Sequence, residues 1–317
     1  MYNITFPDNS SSNCFDSVIY SLLKYYDFEY EAYNIEYFYT DYYREPFNKN
    51  NTAHGIFRGK THANILKDIY DADLIFGDGN ETDRIFETIC NILIDRPVGI
   101  TIDPYYCHWS PFYQKSHYGH MILIVDIDYC NKKYICFDVH FKSFGYIEVD
   151  FDVIHKNYEQ YFIFDFNEVN GIKLESMINK IGFLLDNFDD NLAIKKTEMI
   201  NYFAMSDKKA LFPDNLETSV PLINLMWIAE DKKHFSIALR YIENKIKKVV
   251  FSSIYELLLT SEKNFVLLKS ILIKYAMTGV LRENNLITII NRIFDTDALI
   301  VEQMNSIIKE IKKQWTI

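Results

Sequence analysis

Three polar side chains lie in apolar surroundings where packing alone does not require them. Cys14 begins an apolar helical pattern, His120 opens the apolar run HMILIV, and Asp138 interrupts the run YICFDV. A thiol, an imidazole and a carboxylate form a catalytic triad when the imidazole takes the thiol proton and the carboxylate holds the imidazole tautomer. The residue types therefore predict Cys14 as nucleophile, His120 as general base and acid, and Asp138 as the orienting group.

The element that must position Cys14 is a helix. Apolar residues recur at helical spacing after residue 14, and the polar residues 10–13 precede them as loop or cap residues. The apolar positions are Phe15, Val18, Ile19, Leu22, Leu23 and Tyr26. A helix N-terminus carries partial positive charge and favours a thiolate over a thiol. The alternative is that Cys14 is a small buried apolar residue.

Strands must position His120 and Asp138. Five segments have strand character: RPVGITID (96–103), HMILIVDID (120–128), YICFDV (134–139), FGYIEVDF (144–151) and QYFIFDFN (160–167). Tight turns between consecutive strands predict an antiparallel sheet, and the turn 128–133 would bring His120 beside Asp138. Helical patterns at 61–70 and 81–93 precede the strands, which is typical of an α+β domain.

The second half of the chain is helical in pattern. Five segments after residue 172 show helical apolar spacing, and polar or proline-containing breaks separate them. We therefore predict two domains, a catalytic domain over 1–170 and an all-α helical bundle domain over 171–317 that binds the substrate or its carrier.

Charge is unevenly divided between these halves. Of the formal charge of −11, residues 1–170 hold 26 acidic and 13 basic side chains, and residues 171–317 hold 18 acidic and 20 basic ones. The acidic first half argues against a nucleic-acid partner and favours a cationic small molecule. Lysines such as Lys245, Lys247 and Lys248 offer contacts to an acidic carrier, although such a run is also typical of a solvated helix end.

The sequence also predicts a compartment. No run of about 18 apolar residues marks a membrane span, and the N-terminus lacks the pattern of a signal peptide. The five cysteines include no C-x-x-C pair, which argues against a disulfide framework. We expect a cytoplasmic protein without a membrane partner.

A group of possible metal ligands near His120 offers an alternative to the triad. Cys107, His108, His117 and His120 fall within the segment CHWSPFYQKSHYGH, and cysteine and histidine are zinc ligands. Their spacing fits no standard zinc pattern, so we expect no metal.

The segment from residue 96 to 151, together with Asn13–Cys14, resembles the N-terminal domain of the butirosin-biosynthesis H protein family. The shared pattern is a bulky-apolar strand ending in Asp-x-Tyr-Tyr, a loop with a late histidine, a strand opened by histidine, an Asp-containing turn and a strand ending in Asp. The corresponding residues are Asp103, Tyr105, Tyr106, His117, His120, Asp126, Asp128 and Asp138. The resemblance covers roughly residues 8–165.

The resemblance implies a papain-like, C39-peptidase-like cysteine protease fold, with N-terminal helices packed on an antiparallel sheet. The resemblance also implies a function, since some members act as acyltransferases in natural-product and antibiotic biosynthesis. They pass an acyl group from a carrier-protein thioester to an amine. The layout is similar to amide synthetases of the closthioamide type, which join a carrier-bound acyl chain to a diamine. The implied partners are an acyl or peptidyl carrier protein bearing a phosphopantetheinyl arm and a small amine, with no further cofactor.

Further residues receive roles from this resemblance. The glutamine that precedes a papain-type cysteine is missing, so Asn9, five residues before Cys14, is the candidate oxyanion-hole side chain beside the Cys14 backbone N–H. Asp103, Tyr105 and Tyr106 would bind the ammonium end of the amine by charge and cation–π contact. His117 lies at the same substrate-binding loop.

Two alternatives remain open at this point. The same triad would serve a cysteine peptidase or amidase in which water is the acceptor. A catalytically inactive papain-like fold would bind a peptide or partner without chemistry.

Overall fold

A computed structural model describes residues 1–6, 13–38, 63–78, 84–115, 117–139, 145–166, 171–186, 192–205, 212, 219–247 and 250–315. The chain divides into two compact units, one formed by Met1–Tyr30 with Leu66–Ile172 and the other by Glu31–Ile65 with Lys173–Ile317. Among the described residues no helix is long and apolar enough to cross a membrane.

The first unit contains one antiparallel sheet of six strands. The strands are β1 (Ala72–Asp78), β2 (Val98–Ile102), β3 (His120–Asp128), β4 (Lys133–Asp138), β5 (Gly145–Asp150) and β6 (Tyr158–Phe166). Their order across the sheet is β1-β6-β2-β3-β4-β5. The predicted α+β class with an antiparallel sheet is confirmed. β1 is additional to the predicted strands, and it pairs with β6.

Four α-helices precede or separate these strands along the chain: α1 (Cys14–Tyr25), α2 (63–70), α3 (Ile85–Ile92) and α4 (Phe151–Asn157). 3-10 helices cover Tyr30–Phe38 and Pro104–Tyr106. The first three residues of α2, and all but the first residue of the 3-10 helix Tyr30–Phe38, belong to the second unit. The helix α4 lies between β5 and β6, in a segment for which the sequence pattern predicted no element.

The central strand β3 is buried on both faces, which explains its nearly continuous apolar sequence. On one face, Ile122 and Ile124 join a core cluster to which α3 contributes Ile85 and Ile89. Met121 and Leu123 alternate with them and are also buried. This packing fixes β3, the strand that carries His120 at its first residue.

A glycine in β2 allows α1 to approach the sheet. A Cβ atom at Gly99 would lie 2.1 Å from the ring of the fully buried Phe162. The Phe162 ring in turn contacts that of Phe15 in α1, with centroids 6.0 Å apart. Since α1 also packs against β3, these contacts fix the helix that begins at Cys14.

The second unit is helical in its described residues after 172. The helices are α5 (Leu174–Asp186), α6 (Leu192–Met205), α7 (Val220–Ile246), α8 (Ser252–Thr278) and α9 (Glu283–Trp315). α8 packs against α7 and α9, and α9 also packs against α5 and α6. Each helix falls on one of the five predicted helical segments. α8 ends at Gly279, whose positive φ of 70° suits a residue without a side chain.

A buried polar group joins three of these helices. Lys232 of α7 donates to Asp297 of α9 over 3.0 Å, and Ser261 of α8 donates to the other oxygen of Asp297 over 2.7 Å. We call these residues the lysine cluster. Burial lowers the pKa of Lys232 to about 7 and raises the pKa of Asp297 well above its usual range. The apolar spacing of the helices did not predict this cluster.

Candidate active site

Cys14 is the first residue of α1, and a polar cap fixes that helix end. The side-chain oxygen of Asn13 accepts a hydrogen bond from the backbone N–H of Asp16 over 2.9 Å, and the Asn13 amide donates to the Asp16 carboxylate. Asn13 is the N-cap residue of α1, and Asp16, in its first turn, is fully buried. Cys14 itself is partly exposed. Its thiol is therefore held at a helix N-terminus and stays open to a substrate.

The structure brings His120 and Asp138 together at one end of the sheet. β3 and β4 are antiparallel neighbours joined by the turn 129–132, so the start of β3 lies beside the end of β4. The Nε2 atom of His120 lies 2.8 Å from Oδ2 of Asp138, and both side chains are buried. A carboxylate only accepts hydrogen bonds, so Nε2 carries the hydrogen.

Electrostatics favour the charged form of His120. Burial lowers its pKa, but the hydrogen bonds with Asp138 and with the Cys14 thiol outweigh burial and raise the pKa to about 9. The contact with Cys14 brings the third predicted residue into the same site. We call Cys14, His120 and Asp138 the triad cluster. In this arrangement the Asp138 carboxylate stabilises the imidazolium form of His120.

Trp109 completes the surroundings of Asp138. Its indole N–H donates to Oδ2 of Asp138 over 2.8 Å, the same oxygen that His120 binds. The carboxylate therefore has two fixed donors, which orient it and satisfy its buried charge. Sequence reasoning missed this residue because the loop that returns Trp109 to the end of β4 has no local pattern that encodes its partner.

The loop between β2 and β3 also contributes Tyr118 and Ser110. The Tyr118 phenol interacts electrostatically with Cys14 and Asp138 and forms a hydrogen bond with the Ser110 side chain. Neither residue was predicted as part of the site. The only sequence signal is the position of Tyr118, two residues before His120.

Asp103 and His117 form a second pair beside this site. Asp103 follows β2, in which Ile102 pairs with His120. Its Oδ1 accepts the N–H of Tyr105 over 2.9 Å, and its Oδ2 lies 2.6 Å from Nδ1 of the exposed His117. The His117 ring stacks on Tyr105 with centroids 4.1 Å apart. One face of the Tyr105 ring is therefore covered by His117 rather than open to an ammonium group.

The other predicted substrate contact and one new carboxylate lie near this pair. Tyr106 is exposed, and its ring meets Tyr105 edge-on at 5.1 Å. Glu159 of β6 has its pKa raised by burial and then by the charge of Asp103. The charge of Asp103 thus disfavours charge on Glu159, and a cation beside Glu159 would relieve this effect.

The residues of the zinc alternative have separate environments. Cys107 is fully buried, and its thiol contacts the backbone oxygen of Asp103 at 3.6 Å. Burial, then Asp138 and Asp103, raise the pKa of this thiol. His108 and His117 are exposed. In the part of the chain that the structure describes, no three His, Cys, Asp or Glu side chains form a group that would hold a metal ion.

One predicted residue lies outside this description. Asn9, the candidate oxyanion side chain, is not among the described residues. The remaining predicted site residues fall into the triad cluster and the neighbouring group of Asp103, Tyr105, Tyr106 and His117.

Comparison of the sequence with protein-family models and with curated proteins finds no match in either. The resemblance to the butirosin-type acyltransferases therefore stays a prediction. What the geometry offers is a partly exposed thiol at a helix N-terminus, linked to a buried histidine–aspartate pair. Such a group can attack an electrophilic carbonyl and move protons to and from the leaving and incoming groups.

Proposed function

We propose that the chain is a cysteine-dependent acyltransferase that forms an amide. In this reaction an acyl group passes from a carrier-protein thioester to Cys14 and then to an amine. The observation that carries the proposal is the buried His120–Asp138 pair, with Nε2 of His120 2.8 Å from Oδ2 of Asp138, and the electrostatic interaction of His120 with the partly exposed Cys14 thiol. The fold we propose for this unit is papain-like, in line with the chain order of these residues.

In the first step, the Cys14 thiolate forms a bond to the thioester carbonyl carbon. When the tetrahedral intermediate collapses, the bond to the carrier sulfur breaks, and that sulfur takes the proton of the His120 imidazolium. Acylation removes the charge of Cys14, one of the groups that raise the pKa of His120. The neutral imidazole is then able to act as a base.

In the second step, an amine nitrogen attacks the acyl-cysteine. His120 accepts the amine proton, and Cys14 leaves as thiolate, which regenerates the thiolate–imidazolium pair. A thioester supplies the free energy of amide formation, so this route requires no ATP.

The surroundings support an amine as acceptor. Asp103 and Glu159 place negative charge beside the site, and the aromatic side chains of Tyr105, Trp109 and Tyr118 border it. Asp103 already contacts His117, so we propose that an ammonium group replaces His117 at that carboxylate or binds between Asp103 and Glu159. A diamine would leave its second nitrogen for attack.

The helical unit is our proposed docking region for the carrier protein. Its support is the near balance of charge after residue 171, against the acidic first half. Lys245 lies in the last turn of α7, where its Nζ is 5.2 Å from the Tyr241 ring centroid. Lys248, the third lysine of that run, lies outside the described residues.

The test is the fate of the acyl group. The chain is incubated with an acyl thioester of N-acetylcysteamine, the acyl adduct is followed by intact-protein mass spectrometry, and a diamine is then added. We expect the adduct to be discharged faster by the diamine than by water, with the amide as product. Cys130→Ala, at an exposed turn cysteine, is the matched control for Cys14→Ala.

Discharge by water at an unchanged rate after addition of amine would contradict transfer and identify a hydrolase with the same triad. Absence of any adduct in the wild type would contradict acyl chemistry as a whole.

A further inference from the structure

The loop between β2 and β3 is closed by contacts between its two ends. It runs from residue 103 to residue 119, and all of it except residue 116 is described. Oδ2 of Asp103, at its start, lies 2.6 Å from Nδ1 of His117, near its end. The His117 ring stacks on Tyr105, and the backbone N–H of Gln114 donates to the Tyr105 backbone oxygen over 3.0 Å. These contacts hold the two arms of the loop side by side.

The closing pair lies where two strands meet. Asp103 directly follows β2, whose last residue Ile102 pairs with His120, the first residue of β3. The Asp103 carboxylate is oriented by its own backbone, because Oδ1 accepts the N–H of Tyr105 over 2.9 Å. A carboxylate only accepts hydrogen bonds, so Nδ1 of His117 carries the hydrogen that joins the pair. The hydrogen bond therefore links the two ends of the loop at the edge of the sheet that carries His120.

The middle of this loop carries Trp109. The backbone N–H of Ser110 donates to the backbone oxygen of Cys107 over 2.8 Å, and Cys107 is fully buried. Trp109 lies between these two residues and packs against the core cluster of the first unit. Its indole N–H donates to Oδ2 of Asp138 over 2.8 Å. Because the residues on both sides of Trp109 are held within the loop, the position of the indole depends on how the loop is closed.

Asp138 is the point at which the loop contacts the triad cluster. Its Oδ2 atom binds both the Trp109 indole and Nε2 of His120, each over 2.8 Å. Two donors fix the orientation of a buried carboxylate, and loss of one donor leaves the carboxylate freer to turn away from the other. The position of Trp109 therefore affects the geometry of the His120–Asp138 pair.

We propose that the hydrogen bond between Asp103 and His117 is a clasp that keeps the loop closed and so holds Trp109 on Asp138. Asp103 and His117 are then positioning residues for acylation, which act through Trp109. This inference rests on the proposed acyl transfer and concerns its first step, before an amine binds. The His117 side chain is 63% exposed, so the clasp can be opened by substitution without a change in the core.

The hydrogen bond of the Trp109 indole provides a test that requires no acyl chemistry. Its exchange with deuterium is followed by proton–nitrogen NMR, in which Trp109→Phe identifies the signal and the indoles of Trp227 and Trp315 are internal references. His117→Phe keeps an aromatic ring but has no nitrogen to donate to Asp103. We expect exchange at Trp109 to become at least about 5-fold faster in this variant, with the references unchanged. His117→Asn retains an N–H donor near the position of Nδ1 and should exchange within about twofold of wild type.

A double-mutant cycle tests whether the clasp acts through Trp109. The acylation rate with an acyl thioester of N-acetylcysteamine is measured for wild type, His117→Phe, Trp109→Phe and the variant with both changes. We expect His117→Phe to slow acylation about 3-fold in the wild-type background and less than about 1.5-fold in the Trp109→Phe background, because residues that act through one contact are not additive. His117→Asn should restore acylation to within about 1.5-fold of wild type.

Equal exchange of the Trp109 indole in wild type and His117→Phe would overturn the proposal. So would exchange in His117→Asn as fast as in His117→Phe, or an equal loss of acylation in both backgrounds, since His117 would then act by another route. Should His117→Phe lose the circular dichroism spectrum of wild type, His117→Ala, which also lacks the donor, is measured in its place. A wild type that is never acylated would contradict the proposed function, while the exchange rates would still decide whether the clasp holds Trp109.

Discussion

Each compact unit contains a buried ionic group that joins separate elements. The triad cluster connects α1, β3 and β4, and the lysine cluster connects α7, α8 and α9. In both, a buried carboxylate accepts two hydrogen bonds. They differ in access, because Cys14 is partly exposed while Lys232 and Asp297 are only 6% and 1% exposed.

The comparison shows that buried charge alone does not indicate chemistry. Burial disfavours charge on Lys232 and Asp297, and the hydrogen bond between them compensates for part of that cost. The lysine cluster therefore has a structural role, because it links three packed helices. In the triad cluster a buried histidine and carboxylate lie beside a partly exposed thiol, and hydrogen bonding raises the pKa of His120. A buried ionic group suggests catalysis when it includes a nucleophile that a substrate can reach.

The largest effects on acylation and on stability should come from two single substitutions, one in each cluster. Cys14→Ala should abolish acylation, a loss of at least about 1,000-fold, with little change in thermal unfolding. Lys232→Met should leave acylation by a small thioester unchanged but cost roughly 3–5 kcal/mol of stability, because Asp297 loses its buried partner. Acylation rates and denaturant unfolding of both variants measure the two effects.

Replacing both members, Lys232→Met with Asp297→Leu, should restore part of that stability, because the buried Asp297 carboxylate is removed together with its lysine partner while the buried Asp231 stays. If the Lys232→Met variant has the same free energy of unfolding as wild type, the lysine cluster does not stabilise the packing of these helices.

The second largest effect concerns Asp138. Asp138→Asn should keep a hydrogen bond to His120 but lose the charge that stabilises imidazolium, and acylation should fall about 100-fold. The pKa of His120 should also decrease. Single-turnover acylation across pH measures both, and an unchanged profile would contradict the role given to Asp138.

The pH dependence of the wild type follows from the raised pKa of His120. As pH increases through about 9, the imidazolium loses the proton that the leaving thiol requires, so acylation should decline above that pH. Alkylation by iodoacetamide needs only the thiolate and should not decline there. A decline already complete near pH 6.5 would show that His120 lacks the predicted partners.

The smallest effect should come from Trp109→Phe. Phenylalanine keeps an aromatic ring but has no N–H for Asp138, so the carboxylate loses one of its two donors. We expect acylation to slow about 5-fold, since one hydrogen bond to a charged group contributes about 1.5–3 kcal/mol and only part of it is lost between ground and transition states. An effect as large as that of Asp138→Asn would mean that Trp109 has a further role.

Local patterns predicted much of the sheet and the helices. β3 was predicted at its observed bounds because six consecutive buried residues give a continuous apolar run. β1 was missed because ADLIFGD has aspartates near both ends, and its apolar residues Ile75 and Phe76 are adjacent and both exposed rather than alternating. The other edge strand, β5, was predicted because its residues alternate between exposed and at least partly buried positions.

The helix that carries Cys14 differs from its prediction in one respect. The periodicity predicted an amphipathic helix, but its polar residues Asp16, Ser17 and Ser21 are buried as well. The Asp16 carboxylate accepts a hydrogen bond from the Asn13 amide, and the hydroxyls of Ser17 and Ser21 donate to backbone oxygens of residues 13 and 17, so the polarity of these side chains does not mark a solvent face.

The residues of the candidate site could be proposed from the sequence only where a polar residue type coincides with the end of a helix or strand. Cys14, His120 and Asp138 each begin or end an element, and a polar residue there is conspicuous. Trp109 and Tyr118 lie in the loop between β2 and β3, whose course depends on tertiary contacts. Their partners, Asp138 and Ser110, are not encoded by any local spacing.

The most direct test of the account is to locate the acyl group after a single turnover. The wild-type chain is mixed with an acyl thioester, quenched in acid and digested, and the modified peptide is identified by mass spectrometry. The account predicts one acyl group on the peptide that contains Cys14. An acyl group on Cys130 or on a lysine, with the Cys14 peptide unmodified, would contradict it.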